Sequence, residues 1–461
     1  MGSFYSRKGF MLCITLLFFH TPQAQQHYTL QQLIDSATAN LPLILQKKAL
    51  VNSSMAGITE AQHSSLPQIR LSEQLNLSSD NSLAGSYLPL GGIPSTSGGI
   101  RKDGNYQAAS GNMAVLYGEY DLVDFGLRQA RINRAKSDLA LKQSDLDRDA
   151  YIVQHEVARL YLIIGKDQYQ LKADQQNIDR YENIFRVIQA LALSGIKPGA
   201  DSSLAKAELA RTKINYNQTL GRLNQLKEQL GYLTGIPGKT IGIDFTAEEL
   251  PNKMMLDTLA NNDTSGNPLI QYYLRKKEAV DAEGKLISKS YQPRILLAAG
   301  AWGRASSIEY NDQYKALSDG FAYQRFNYML GVGFTYNLFN STSKHDKLAI
   351  NRFQSEASAQ ETNLAIAQLH SQARQADLAL QTTSLNLEQI PVQLQSAEAT
   401  YQQKLAQYRA GMISLIDLTN ASYVLYRSQT DHATTLSDWF LSRLDKAAAT
   451  GSLHSFIQTI Q

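Results

Sequence analysis

Residues 127–194 read LRQARINRAKSDLALKQSDLDRDAYIVQHEVARLYLIIGKDQYQLKADQQNIDRYENIFRVIQALALS, and Gly195, Pro198 and Gly199 close the stretch. From Ala150 onward an apolar residue returns at every seventh position: Ala150, Val157, Ile164, Leu171, Ile178, Phe185, Ala192. A second line, offset by three or four residues, runs Leu146, Val153, Leu160, lapses at Asp167 and Asp174, and resumes at Tyr181 and Ile188. No proline interrupts it. Two such lines form an a/d seam, the mark of a helix that packs lengthwise against other helices. Unbroken, it would be roughly 100 Å long, whereas helices of globular domains average about 11–12 residues. On periodicity alone, an ordinary filamentous coiled coil is the simpler reading.

The flanks change that picture. Upstream, Gln68 to Ser78 switches to period two. Ile69, Leu71, Leu75 and Leu77 alternate with polar residues, and only Glu73 breaks the apolar line. This predicts a strand at 68–78 with one apolar and one polar face. A Gly-, Ser-, Asn- and Pro-rich loop is expected over 80–110, then a second strand at 112–123 feeding the long helix at 126–194. Before the first strand, Tyr28 to Ala39 has helical spacing, and Pro42 opens another helical stretch that ends at Pro67. Beyond Gly199 a returning helix is expected over 201–233, stopped by Gly235 and Pro237.

The same order then recurs. Pro268 and Pro293 repeat the 25-residue spacing of Pro42 and Pro67. Strands are expected at 294–303 and 328–339, the latter alternating cleanly, with Tyr328, Leu330, Val332, Phe334, Tyr336 and Leu338 on one face. At a constant offset of 216 residues, Tyr120-Asp121-Leu122 falls on Tyr336-Asn337-Leu338, Gly195 on Gly411 and Asp201 on Asp417. The seam is copied as Ile366, Ala373, Leu380, Leu387, Leu394, Tyr401 and Tyr408, giving a second long helix at 342–410 and a returning helix at 415–449. Pro391 lies inside that helix and should kink or locally break it. The expected organisation is a first repeat at 25–235, a linker at 236–266, a second repeat at 267–450 and a tail at 451–461.

Composition narrows the function. The chain has 461 residues, with 44 Lys+Arg against 41 Asp+Glu, so charge gives no reason to expect a nucleic-acid partner. Its mean hydropathy of −0.29 excludes a bundle of membrane helices. Arg7 and Lys8 precede the apolar run Phe10–Phe19, and Pro22-Gln23-Ala24 precedes Gln25, so residues 1–24 read as a secretory signal. Cys13, the only cysteine, lies inside that run, so neither lipidation nor a disulfide is expected. The histidines have no ligand spacing, Gly331-Val332-Gly333 lies in a strand rather than a phosphate loop, and no convergent polar set suggests an enzyme. No cofactor is expected.

Strands of about 10 residues with one apolar face have the length and alternation of transmembrane β-strands. The charged helix seams belong in water. Four strands are too few for a barrel, since the smallest in membranes have about 8, so the chain is expected to oligomerise and hide its sheet edges. A coiled-coil scaffold or adhesin outside any channel is the rival reading, although it has no use for lipid-facing strands.

At this point the chain resembles the TolC family of outer-membrane efflux proteins, over about residues 28–451. The resemblance rests on the two-fold repeat, the openings at Asn40/Pro42 and Asn267/Pro268, and the strand lead-ins Pro67-Gln-Ile and Pro293-Arg-Ile. It rests also on Tyr120–Gly126 (YDLVDFG) at the strand-to-helix junction, Tyr408-Arg-Ala-Gly411, and Leu415-Ile-Asp417-Leu-Thr-Asn420-Ala421. It implies a mainly α fold with a small β part. Three protomers would each give four strands to a twelve-stranded β-barrel in the outer membrane, in contact with lipid, which continues as a helical barrel through the periplasm. The implied function is an exit duct of an efflux or type I secretion system, served by a periplasmic adaptor (membrane fusion) protein and an inner-membrane transporter.

The resemblance also assigns roles to residues. It places Asp417, with Asn420 where the best-known members carry a second carboxylate, at the periplasmic constriction, together with Asp201 and Tyr408. The family's arginine two residues after the glycine is replaced by Ile413, which puts its hydrogen-bonded lock in question. Gly195, Ile196, Lys197, Gly411, Met412 and Ile413 form the tips around which an adaptor would seat. The plainer alternatives stand beside these: Asp201 and Asp417 as first-turn acids favoured by the helix dipole, and the tip residues as closures of helical hairpins.

Overall fold

The computed structural model describes residues 26–81, 102–195, 198–243, 263–310 and 312–460. The expected signal at 1–24 and most of the loop at 80–110 lie outside the described residues. In chain order the elements are β1 (Gln26–Tyr28), α1 (Leu30–Asn40), α2 (Pro42–His63), β2 (Gln68–Ser78), β3 (Ala109–Val123), α3 (Leu127–Leu193) and α4 (Gly199–Thr234). After a short 3-10 turn come β4 (Ile241–Ile243), α5 (Pro268–Ser290), β5 (Arg294–Ser306), β6 (Arg325–Thr335), α6 (Asn340–Arg409), α7 (Leu415–Thr450) and α8 (Leu453–Thr459). Helix–strand–strand–long helix–helix therefore occurs twice. The long helices have 67 and 70 residues, and each returning helix has 36.

Glycines punctuate both copies. Gly195 and Gly411 end the long helices, and Gly235 and Gly451 end the returning ones, all four with φ between 70° and 77°. That left-handed backbone strains any residue with a Cβ, and it turns the last helical carbonyls toward new donors.

Three expectations change. Helix α6 runs without interruption through Pro391. Pro391 removes one backbone donor, and buried Ile390 and Ala397 hold the helix in place on either side. Strand β6 spans Arg325–Thr335, so Tyr336 and Leu338 lie in the following turn rather than in the ladder. Its partner explains the stop: Thr335 pairs with Arg294, the first residue of β5, and Pro293 before it has no N–H to offer. The tail is also structured, because α8 buries Leu453, Phe456 and Ile457.

The chain gathers into two compact units. The first contains residues up to Ile44, Ala150–Asp263 and His370–Gln461. In it α1 packs against α4 and α8, and α7 against α8, and Leu30, Leu33, Leu230, Trp439, Phe440 and Ile241 are fully buried. Thr29 caps α1 through a capping box with Gln32. Within the stretch expected to be a linker, β4 pairs in parallel with β1, so this segment closes the unit.

The second unit contains Leu45–Asp149 and Thr264–Leu369. Its helices are tied by charge. Lys47 on α2 meets Asp145 at 2.5 Å and Asp149 at 3.0 Å on α3, while Arg148 lies 4.1 Å from the ring centre of Tyr272 on α5. Its sheet has the order β2-β3-β5-β6, antiparallel throughout. Leu71 is opposite Leu116, Leu116 opposite Ala301, and Ala301 opposite Tyr328. Residues directly opposite share a face, so Ile69, Leu71, Leu75, Leu77, Leu116, Leu297, Phe326, Tyr328, Leu330, Val332 and Phe334 form one continuous apolar face. Arg70, Ser72, Gln74, Asn76, Asn327 and Thr335 occupy the other. Strands β2 and β6 are edges, and both are exposed along nearly their whole length.

Candidate functional site

The tip of the second repeat lies in the first unit. There α6 ends in a Schellman turn: Met412 N donates to the Gln407 carbonyl at 2.9 Å, and Gly411 N to Tyr408 at 3.0 Å. Two residues on, Ser414 caps α7. Its hydroxyl accepts from Asp417 N, while Asp417 Oδ2 accepts from Ser414 N at 3.1 Å and from Ser414 Oγ at 2.7 Å. This is a capping box whose N3 position is filled by aspartate. The Ser414 hydroxyl and then its backbone N–H hold the Asp417 carboxyl below its ordinary value, and Lys404 adds to this. Asp417 is thus a helix-start acid that stays exposed and ionised, with Asn420 exposed one turn further on.

At the first repeat's tip, Gly195 N reaches the Ala192 carbonyl, Pro198 opens α4 and Asp201 lies in its first turn. Ile196 and Lys197 lie outside the described residues. Tyr408 joins the two tips. Burial pushes its phenol up, and the negative charge of Asp201 pushes it further. Around Tyr408 is an apolar cluster of Tyr181, Ile184, Ile188, Ala205, Tyr401, Leu415 and Leu418, against which Ile413 packs. The structure therefore brings Tyr408, Asp201 and Ile413 together. Ile413 contributes packing where an arginine would contribute hydrogen bonds. Met412 and Gly411 face solvent.

Sequence reading missed a set of residues on the same helices. Asp167 and Asp174, where the seam lapses, are 0% and 1% exposed, so the seam's buried line passes straight through them. Arg222 of α4 grips Asp167 with two donors, at 2.6 and 2.8 Å. Asp174 accepts from Gln170 on its own helix at 2.8 Å, from Thr219 on α4 at 2.6 Å, and from Tyr426 on α7 at 2.8 Å. A buried carboxylate is tolerated only when paired or hydrogen-bonded. Two acids seven residues apart on a seam were the available signal.

Among the expected lipid-facing residues, Tyr328, Leu330, Val332 and Phe334 lie on the apolar face of β6, and all are at least 68% exposed within one protomer. Glu73, the one charge on that face of β2, accepts the hydroxyl of Tyr323 at 2.7 Å. Among the described residues no helix is long and apolar enough to cross a membrane, and no group of three His, Cys, Asp or Glu could hold a metal.

Comparison with known proteins fits this arrangement. No curated protein matches the chain. Among solved structures, the fold is similar to CusC, described in connection with transmembrane channel formation (TM-score 0.75, 15% identity, 92% of each chain covered). It is also similar to the outer membrane protein VceC of Vibrio cholerae (TM-score 0.72, 15% identity, 92% of this chain and 96% of that one). A third is the CmeC outer membrane channel of Campylobacter jejuni (TM-score 0.71, 15% identity, 92% and 86%). At that identity they establish the fold. Residues 33–236, under half of the chain, match the family Outer membrane efflux protein. The duplicated layout and the two-faced sheet agree with that match.

Proposed function

We propose that the chain is an outer-membrane duct, a homotrimer that carries substrates from an inner-membrane transporter and periplasmic adaptor to the outside. One observation carries the reading: a four-stranded sheet with one apolar face, one polar face and two unpaired edges. Joining β2 of one protomer to β6 of the next removes every edge, turns the apolar face to lipid and encloses the polar face as a lumen.

The helices support assembly as well. Leu378, Leu385 and Val392 of α6, seven residues apart, are 65%, 58% and 62% exposed. A heptad line left exposed among the described residues suits a neighbouring copy. In the trimer, Asp417, Asn420, Asp201 and Tyr408 form the periplasmic constriction, and the tips at Gly195, Ile196, Lys197, Gly411, Met412 and Ile413 receive the adaptor.

Topology tests the proposal. A cysteine at Tyr310, in the β5–β6 connection, reacts on intact cells with a membrane-impermeant thiol reagent, whereas one at Met412 does not. Labelling of Met412→Cys from outside would overturn the orientation.

A further inference from the structure

At the end of the sheet farthest from the helix connections, Arg304 of β5 lies directly opposite Arg325 of β6. Both side chains point to the polar face. Met113 is opposite Arg304 and Gln74 opposite Met113, and the residues opposite these belong to the polar set. Like charges directly opposite across strands are destabilising. Here neither guanidinium has a carboxylate oxygen within 4.0 Å among the described residues, although Arg294, at the other end of β5, is 4.0 Å from Asp121. The strand residues around the pair are neutral: Gln74 and Asn76 on β2, Met113 on β3, Trp302 on β5, Asn327 on β6.

The connections at this end carry Asp80, Asp103, Glu309, Asp312 and Asp319, but among the described residues none of these comes within 4.0 Å of either guanidinium. Residues 82–101 contain Arg101 and no Asp or Glu. In the β5–β6 connection Glu309 is taken by Lys315. That connection is fastened on the apolar side of the sheet: Asn112 donates to the Phe321 carbonyl at 3.0 Å, and Tyr323 to Glu73 at 2.7 Å. Ser110, on that side too, donates to the Leu317 carbonyl.

We propose that Arg304 and Arg325 are an anion-binding site at the outer mouth of the lumen, formed from three such pairs and suited to polyanionic ligands such as phosphate- or carboxylate-rich solutes. The inference rests on trimeric closure of the sheet. Six guanidiniums around one opening, each a planar fork of donors, bind multivalent oxyanions far better than the same arginines scattered over a surface. Low-dielectric walls focus the field across the opening, which draws anions toward the exit.

Tripolyphosphate is the probe, applied to the purified full-length protein in detergent and in planar bilayers at low ionic strength, where screening is weakest. Wild type binds it, with one ligand per trimer by calorimetry, and its current is blocked from the loop side at concentrations that leave the tip side unaffected. R304Q/R325Q loses binding and block by tenfold or more; R304K/R325K, which keeps the charge, retains most of the block. Circular dichroism and trimer mass unchanged from wild type show that the glutamine variant is folded. Equal binding by wild type and R304Q/R325Q overturns the site. Binding that depends on the arginines in a protein that never conducts overturns the duct instead, so the two failures are distinguishable.

Discussion

Asp174 Oδ1 accepts the hydroxyl proton of Tyr426 at 2.8 Å, from a residue 252 positions further along the chain. With Thr219 on a third helix, the carboxylate fastens α3, α4 and α7 at one level of the helical layer. Removing one donor leaves a buried carboxylate under-satisfied, which costs about 1–3 kcal/mol. Tyr426→Phe should lower stability by that amount in chemical unfolding, and Asp174→Ala by more. An unchanged midpoint in Tyr426→Phe would mean that the hydroxyl contributes nothing.

The same contact sets a pH dependence. Burial, and then hydrogen bonding to Asp174, pushes the Tyr426 phenol up to about 12. The folded protein holds this proton more tightly than the unfolded chain, whose tyrosines titrate near about 10. The contribution to stability is therefore complete below pH about 10 and is lost as pH rises through about 12. Melting temperature should fall across that window, and less steeply in Tyr426→Phe. Equal slopes would show that Tyr426 is not the titrating group.

At the tip, two substitutions separate capping from charge. Ser414→Ala removes the cap of α7 and should cost about 1 kcal/mol, while leaving ion selectivity unchanged. Asp417→Asn should weaken cation selectivity and trivalent-cation block in bilayer recordings. Within one protomer Ser414 holds the Asp417 carboxyl low; three copies in a narrow neck repel and oppose that shift. A mutant with wild-type selectivity and block would reduce Asp417 to a helix-start acid.

On the sheet, Val332→Arg or Phe334→Arg places a charge on the apolar face and should cost about 2–4 kcal/mol near the bilayer midplane. Thr335→Arg, on the polar face, should fold and insert. Equal tolerance on both faces, read by heat-resistant trimer on gels, would mean that this strand does not meet lipid.

The exposed heptad line is the helical counterpart. Leu385→Lys should weaken assembly and shift the purified protein from trimer toward single protomers in native mass measurements. Leu385→Met should not. A trimer that withstands Leu378→Lys, Leu385→Lys and Val392→Lys together would place the subunit interface elsewhere.

Local patterns determined much of this protein from sequence alone. The seven-residue seams, the period-two strands, the prolines ahead of β2 and β5 and the glycines at 195, 235, 411 and 451 each act through the backbone within a few residues, so they are legible in any copy of the repeat. The sequence could not decide partners. That Asp167 meets Arg222, that Asp174 meets Tyr426, and that neither is a flaw in the seam depends on the axial register of helices far apart in the chain. Strand register belongs to the same class. Tyr336 continues the alternation of β6 yet leaves the ladder, because the strand beside it begins only at Arg294. Register likewise sets Arg304 opposite Arg325. Periodicity fixes which face a side chain takes, but only the packed structure fixes what lies across from it, because a slide of one residue along a strand or one turn along a helix preserves the pattern while changing each partner.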